Sequence, residues 1–511
     1  MLTTVLCAKC IGIDAVPVSV EVDITSGIGI HLVGLADAAV KESLLRTVTA
    51  LQTMGYRIPG KKIVINLAPA DMHKRGSGYD LPIAVGIIAA SGQEDLPLAG
   101  RFIIMGELGL DGSIRTVPGA LPISELAAEK GLDGCILPAE AASEAAVYLL
   151  SDIYGVQTLA DVIEILKDED KERWLVHQPK RSARTSPDKD IMDFSDIVGQ
   201  DAAKRGLEIA AAGGHNVLLI GPPGAGKSSL AKAMVNILPP MSLEEALQTS
   251  KIYSVAGKGT GRQGIYWNRP FRSPHYSVSL AAMIGGGTDN IIPGEISLAH
   301  NGVLFLDEFC EIPKKTVDAL RSPLEEHKVT ISRLKTKIEY PANFMLVAAT
   351  NPCPCGHYGD EDKCTCSPAR RISYLSRLSG PILDRIDIHL WVNPVRGKEI
   401  VRKQRGEASR DVAARVARTR YIQKKRFAKD DIFTNSEMTV RHIERDCRLD
   451  VRSLDFMEKT IDRSRISARA YTRILKVART IADLDGEENI RLRHLAEAIG
   501  YRFLDKPDLF L

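Results

Sequence analysis

Asn216-Val-Leu-Leu-Ile220 runs directly into Gly221-Pro222-Pro223-Gly224-Ala225-Gly226-Lys227-Ser228-Ser229, and a helical pattern follows from Leu230 to Leu238. The apolar run has the composition of a buried strand, so the order is strand, glycine-rich loop, helix. That context gives the motif its chemical meaning. Glycines let successive backbone N–H groups turn inward around phosphate oxygens, and the helix N-terminus adds partial positive charge. Lys227 is then placed for the β- and γ-phosphates of a nucleotide and the Ser228 hydroxyl for Mg2+. A chance glycine turn before a helix does not account for both flanks.

Two later strands extend the pattern. Gly302-Val-Leu-Phe-Leu306 ends in Asp307 and Glu308. The first carboxylate suits a magnesium ion and the second suits the general base that polarises an attacking water. The competing reading is an acidic cap on the next helix. Phe344-Met-Leu-Val-Ala-Ala-Thr350 ends in Asn351, whose amide could orient that water. By itself, Asn before Pro is usually a turn residue.

The chain has 511 residues, more than one hydrophobic core normally supports, so two to four domains are expected. No run of about 18 apolar residues occurs, which argues against a membrane span. The N-terminus lacks a charged region ahead of an apolar stretch and does not read as a signal peptide. Nine cysteines, four of them clustered between 353 and 366, suit a metal site in a reducing compartment better than a disulfide framework. A cytoplasmic protein is expected. A net charge of +3 is too small to imply nucleic acid, so any such footprint must be local.

Residues 1–166 mix strand and helix patterns and read as an α+β domain. In Val18-Ser-Val-Glu-Val-Asp-Ile24 apolar and polar residues alternate, as in a half-buried strand. Lys62–Asn66 and Phe102–Met105 are shorter strand candidates; Ala38–Met54 and Leu81–Ser91 read as helices. Residues 167–193 are charged and proline-punctuated, the composition of a linker. An α/β nucleotide-binding core is expected over 194–395, and a helical segment over 396–511.

The stretch Phe194-Ser-Asp-Ile-Val198-Gly199-Gln200, together with the phosphate loop and the two strand tips, resembles the AAA+ superfamily. Arg272-Ser-Pro-His275, Ile284-Gly-Gly-Gly287 and Pro293-Gly-Glu-Ile-Ser-Leu-Ala-His-Asn-Gly302 look like its magnesium-chelatase-like branch. Asn351-Pro-Cys-Pro-Cys-Gly356 and Ser379-Gly-Pro-Ile-Leu-Asp-Arg385-Ile-Asp387 narrow the resemblance to the ComM/YifB group. The resemblance implies an α/β AAA+ P-loop core with a helical lid, preceded by an α+β Lon-protease-like domain. It implies that Val198 and Gly199 line the adenine pocket. It makes Arg385 an arginine finger for a neighbouring subunit, and hence implies a ring, by family precedent a hexamer. A plain salt bridge from Arg385 to Asp384 or Asp387 is the alternative. Ser467 is an N-cap candidate for a lid helix whose γ-phosphate-sensing arginine is Arg469 or, one turn on, Arg473.

Cys353-Pro-Cys355 and Cys364-Thr-Cys366 form two C-x-C pairs, enough thiolates for a tetrahedral zinc site that would brace the loop after Asn351. Free thiols, a redox pair, or His357 in place of one thiol remain open. Lys74-Arg-Gly76-Ser77-Gly78-Tyr79-Asp80 and Gly106–Gly119 resemble segments of the Lon-protease domain. Matched on Gly76, the nucleophile position falls on Gly78; matched on Gly119, the general-base position falls near Pro122. Ser77 is one residue off and Lys130 is two turns away, so peptidase activity is not expected and the domain is read as a docking module. Asn66–Arg75 is its densest polar stretch.

Three basic regions bear on the substrate. Lys328–Pro341 alternates around a turn carrying Arg333, Lys335 and Lys337, and in helicases of this branch a hairpin here enters the ring's pore. The stretch from Tyr253 to Asp289 carries Lys258, Arg262, Arg269, Arg272 and His275 and could also line a pore. Residues 396–429 hold thirteen Lys/Arg against three Asp/Glu, including Arg402, Lys403 and Arg405, either a solvated face or a nucleic-acid contact. The resemblance implies an ATP hydrolase that moves single-stranded or branched DNA, a branch-migration helicase in recombination of incoming DNA, with a recombinase as a possible partner. A chelatase-type ATPase subunit and a protein-remodelling ATPase are the alternatives.

Overall fold

The computed structural model describes residues 2–35, 37–74, 76–146, 151–168, 171–177, 192–259, 265–287, 291–333, 336–358, 363–394 and 406–505. The N-terminal sheet contains β1 (Thr3–Ile11), β2 (Asp14–Thr25), β3 (Gly29–Val33), β4 (Lys62–Ala68) and β5 (Phe102–Ile104). After a short antiparallel pair, β6 (Glu107–Leu108) and β7 (Ile114–Arg115), come β8 (Gly134–Pro138) and β9 (Asp152–Val156). Its seven strands lie in the order β3-β4-β2-β1-β5-β8-β9. β2 is antiparallel to both neighbours, whereas β5, β8 and β9 run parallel.

The alternation read in β2 is real: Val18, Val20 and Val22 are fully buried and Ile24 is half-buried. β4 alternates too, with Ile63, Ile65 and Leu67 inward, so it is buried on one face rather than on both. Helices Ala38–Thr53 and Asp80–Ser91 form where the periodicity placed them; the second packs on this sheet and the first packs on the second. The chain stays with the sheet beyond residue 166: Val176 N–H donates to Ile153 at 2.8 Å, and Trp174, Leu175 and Val176 pack on the same core.

The second sheet is all parallel, in the order β11-β14-β17-β10-β18. Its strands are β10 (Val217–Ile220), β11 (Phe271–Arg272), β14 (Val303–Leu306), β17 (Met345–Thr350) and β18 (Ile388–Trp391). β10, β14 and β17 are buried along their whole length, as expected for parallel strands covered on both faces. Two small antiparallel pairs flank it: β12 (Gly285–Gly286) with β13 (Ile292–Pro293), and the hairpin β15 (Lys328–Arg333) with β16 (Thr336–Pro341). The C-terminal segment is helical, with the longest helices at Ser409–Arg426, Val451–Ser464 and Ala468–Leu484. Ser467 caps the last of these, its side chain accepting from Ala470 N–H.

One buried cluster pins that helix to the parallel sheet. Arg473 pairs with Asp387 at 2.6 Å, and Asp387, just before β18, also accepts from Asn216 N–H at 3.2 Å. Burial pushes the Asp387 carboxyl up, but the Arg473 guanidinium and the hydrogen bond from His215 outweigh it and hold the carboxyl well below the usual range.

Candidate nucleotide site

Every strand of the parallel sheet points its C-terminal end at the same edge, which gathers the glycine-rich loop, Asp307, Glu308 and Asn351. The helix after the loop begins at Lys227, three residues earlier than the apolar pattern suggested, because Gly226 turns the chain at φ 92°. Gly224 is likewise at positive φ, and a Cβ at either glycine would meet nothing within 4 Å. The loop is therefore an open concavity lined by backbone. Gly221, by contrast, lies against β18, where a Cβ would sit 2.2 Å from the Val392 carbonyl oxygen.

Lys227 donates to the carbonyls of Gly221 (2.6 Å) and Pro222 (3.0 Å) and to Asn351 Oδ1 (3.1 Å). Burial lowers its pKa, and the Asp307 and Glu308 charges partly restore it. Ser228 Oγ donates to Asp307 Oδ2 at 2.8 Å. A hydroxyl and a carboxylate converging beside a phosphate cradle are the oxygen donors that Mg2+ takes when most of its ligands are water and phosphate. Glu308 is exposed and held in the left-handed region at φ 50°, a strained backbone of the kind found at reacting centres. Gln200, next to Val198 and Gly199, donates to the Ala225 carbonyl at 3.3 Å, which joins that turn to the phosphate loop.

The four cysteines come together: Cys353, Cys355, Cys364 and Cys366 place their sulfurs within 4.8 Å of one another. Three of the sulfur pairs are 3.4, 3.9 and 3.7 Å apart. A tetrahedron with metal–sulfur bonds of about 2.3 Å has edges of about 3.8 Å, so the donor set fits zinc. The knuckle touches the nucleotide loop directly. Gly356, at φ 81°, is packed so closely that a Cβ would lie 2.8 Å from Pro223 Cδ. That contact had no local signal, since 133 residues separate the two.

The arginines lie elsewhere. Arg385 pairs with Glu325 at 2.5 Å and donates to the Arg321 and Pro381 carbonyls. The acids expected to compete for it are otherwise engaged: Asp384 pairs with Arg469 at 3.1 Å and Asp387 with Arg473. Arg473 is thereby committed to holding the lid helix, whereas Arg469 is 76% exposed. Asp384, Arg385 and Asp387 sit just before β18, at the opposite edge of the sheet from the phosphate loop, and Arg469 and Arg473 reach them from the lid helix. Four residues of strand, about 13 Å at about 3.3 Å each, separate the two edges.

Two expectations about basic residues need correction. Arg269 donates to the Pro239 and Asn301 carbonyls and pairs with Glu245 at 3.1 Å; Arg272 pairs with Glu295 at 2.6 Å. Both are tied to partners within the domain rather than standing free on a surface. In the Ser409–Arg426 helix, Arg415 pairs with Glu208 at 2.5 Å, Arg420 donates to the Ala211 carbonyl, and Arg426 pairs with Asp483. Arg415 and Arg420 tie the lid to the core, and Arg426 pairs within the lid. Arg410, Arg418, Lys424 and Lys425 stay exposed. Lys337 is exposed on β16, 3.5 Å from Glu339. Lys335, Arg262, Arg402, Lys403, Arg405 and Arg75 lie outside the described residues, as does the side chain of Arg333.

In the N-terminal domain, Ser77 Oγ donates to Glu107, and a side chain at Gly78 would run into Met105 and Val117. Lys74 is fully buried and donates to the Pro69 carbonyl. Lys130 ends a helix, exposed. Among the described residues no helix is long and apolar enough to cross a membrane.

Comparison with known proteins agrees with this geometry. Residues 193–400 match the family described as magnesium chelatase, subunit ChlI; residues 20–141 match subunit ChlI of Mg-chelatase; and residues 406–502 match the ChlI C-terminal family. The competence protein ComM of Haemophilus influenzae is 45% identical over 96% of this chain and 95% of its own length. YifB of Salmonella typhimurium is 43% identical over 97% of this chain and 96% of its own. The magnesium-chelatase 67 kDa subunit of Chlorobaculum parvum is 29% identical over 32% of this chain and 24% of its own length.

Proposed function

The chain belongs to the ComM/YifB family of magnesium-chelatase-like AAA+ ATPases, and from that premise we propose that it is a ring-forming DNA motor, a hexameric branch-migration helicase that acts on single-stranded or branched DNA during homologous recombination and natural transformation. The observation that carries the ring is the separation of Arg385 and Arg469 from the phosphate loop of their own chain. That separation supports a role for the arginines at the nucleotide of an adjacent subunit. A cationic donor supplied between subunits is worth roughly 10³–10⁵ in rate.

Within one site, backbone N–H groups of Gly224–Ser229 and the Lys227 ammonium hold the phosphates of ATP. Val198 and Gly199 bound the adenine. Ser228 and Asp307 hold Mg2+, which when bound neutralises phosphate charge. Glu308 takes the proton of the attacking water and Asn351 orients it, while Arg385 and Arg469 of the neighbour stabilise the charge that develops. Cys353, Cys355, Cys364 and Cys366 would hold Zn2+, which would brace the Asn351 loop against Pro223. The β15–β16 hairpin, with Lys337 on its exposed side, meets the DNA backbone. Likeness to a competence protein over 96% of the chain supports the DNA reading over the chelatase one, where likeness covers 32%.

The test is ATP hydrolysis with and without forked DNA, together with strand migration, in the wild type and in Lys227→Ala and Lys337→Glu. Lys227→Ala should abolish hydrolysis, and Lys337→Glu should lower only the DNA-stimulated rate. A wild type that hydrolyses ATP without response to DNA would return the chelatase or protein-remodelling reading.

A further inference from the structure

The N-terminal domain rests on two parts of the ATPase domain that the nucleotide site does not use. At the β1–β2 turn, a Cβ on Gly12 would lie 2.9 Å from the Glu339 carbonyl oxygen on β16 and 3.6 Å from Ile338 Cγ2. Ile13, the next residue, packs into the apolar cluster that contains Val329, Ile331 and Tyr340 of the hairpin. The same side chain also reaches the small cluster of Ile252, Tyr253 and Leu298.

The second support is the helix Leu243–Val255. Gly119 N–H donates to the Ser254 carbonyl at 3.1 Å, and Leu121 N–H donates to Ser254 Oγ at 3.3 Å. Lys251 forms an ion pair with Glu125, both largely buried, and lies 3.9 Å from Asp14. Close by, the buried Glu144 carboxylate is so near Gly259 that a Cβ there would overlap it. The stretch from Gly119 to Pro122, where a Lon-type peptidase would carry its lysine, is thus a seat for an ATPase helix.

A two-stranded ribbon is marginal without packing against something else. Here part of that packing comes from another domain, and a single residue, Ile13, bridges hairpin and helix. We infer that the N-terminal domain is an anchor: it fixes the β15–β16 hairpin to the Leu243–Val255 helix so that the two shift together during the ATP cycle. The role as a DNA-moving part rests on the hairpin reading given above; the anchoring itself does not.

The experiment uses the full chain with Ile13→Asp, Lys251→Glu, and the double reversal Lys251→Glu/Glu125→Lys. Amide hydrogen exchange over Lys328–Pro341 and strand migration are read side by side with basal hydrolysis. Each single variant should raise hairpin exchange about tenfold, cut strand migration about tenfold and leave basal hydrolysis within about twofold, since local opening follows lost contacts. The double reversal should restore exchange and migration toward wild type. Unchanged hairpin exchange in both single variants, or no recovery in the double reversal, overturns the anchor. Faster exchange in a protein whose wild type ignores DNA upholds the anchor and sinks the DNA reading.

Discussion

Lys227 Nζ donates to Asn351 Oδ1 at 3.1 Å, so the ammonium of the glycine-rich loop and the tip of β17 are joined directly. Asn351→Ala should leave the affinity for an ATP analogue within about threefold and lower the hydrolysis rate about 10²-fold, the usual cost of one preorganised donor. Lys227→Ala should lose binding itself. Fluorescent-analogue titration beside single-turnover hydrolysis separates the two, and an Asn351→Ala enzyme of normal rate removes the sensor role.

Glu308 stands exposed on a left-handed turn with its own N–H tied to Asp307 Oδ1 at 2.9 Å. That hydrogen bond fixes the side chain's origin relative to the Asp307 carboxylate. Glu308→Gln keeps the shape and removes the base, so ATP should still bind while hydrolysis falls by about 10²–10⁴. Loss of binding in this variant would mean that Glu308 is a structural cap.

Arg385→Ala and Lys227→Ala should each be inactive by themselves, yet active when mixed. A mixed ring contains interfaces with an intact phosphate loop on one side and an intact arginine on the other. At equal proportions these make up about a quarter of all interfaces, which sets the recovered rate. Mixing that recovers nothing places Arg385 outside the neighbour's site.

Elemental analysis should find one zinc per chain, and Cys355→Ser/Cys364→Ser should lose it. Because Gly356 lies against Pro223, metal loss should weaken ATP-analogue binding as well as stability. Gly356→Ala makes the sharper probe. It should keep the metal and still weaken nucleotide binding, and unaltered affinity would uncouple the knuckle from the loop.

Arg473→Ala leaves Asp387 buried without its cation, a change that costs about 3–5 kcal/mol. Thermal unfolding at neutral pH reads this directly. The folded Asp387 carboxyl sits below its unfolded value of about 3.9, so its stabilisation is complete above that pH and is lost as pH falls further. The difference between wild type and Asp387→Asn should therefore shrink on acidification. A constant difference would assign the effect to packing.

The nucleotide edge was readable because its signals are local. Four- to six-residue apolar runs end in a glycine loop, a carboxylate pair or an asparagine, and parallel strands must deliver those ends to one side. Charge partners were not readable in that way. Arg269 and Arg272 look alike as basic residues, yet each closes on a glutamate more than twenty positions away that the fold alone brings near. Arg469 and Arg473 share a helix face, and only the position of Asp387 on another element decides which is buried. The seat of the N-terminal domain is equally silent, since Gly12 and Glu339 are 327 positions apart.

Placing the cradle at one rim of the parallel sheet and the arginines at the other has a kinetic consequence. On the reading proposed above, a solitary chain binds ATP but lacks the group that speeds its cleavage. Specific activity should therefore climb with protein concentration and plateau once rings close, and dilution alone should switch the enzyme off. Assembly, rather than any inhibitor, then decides when fuel is spent.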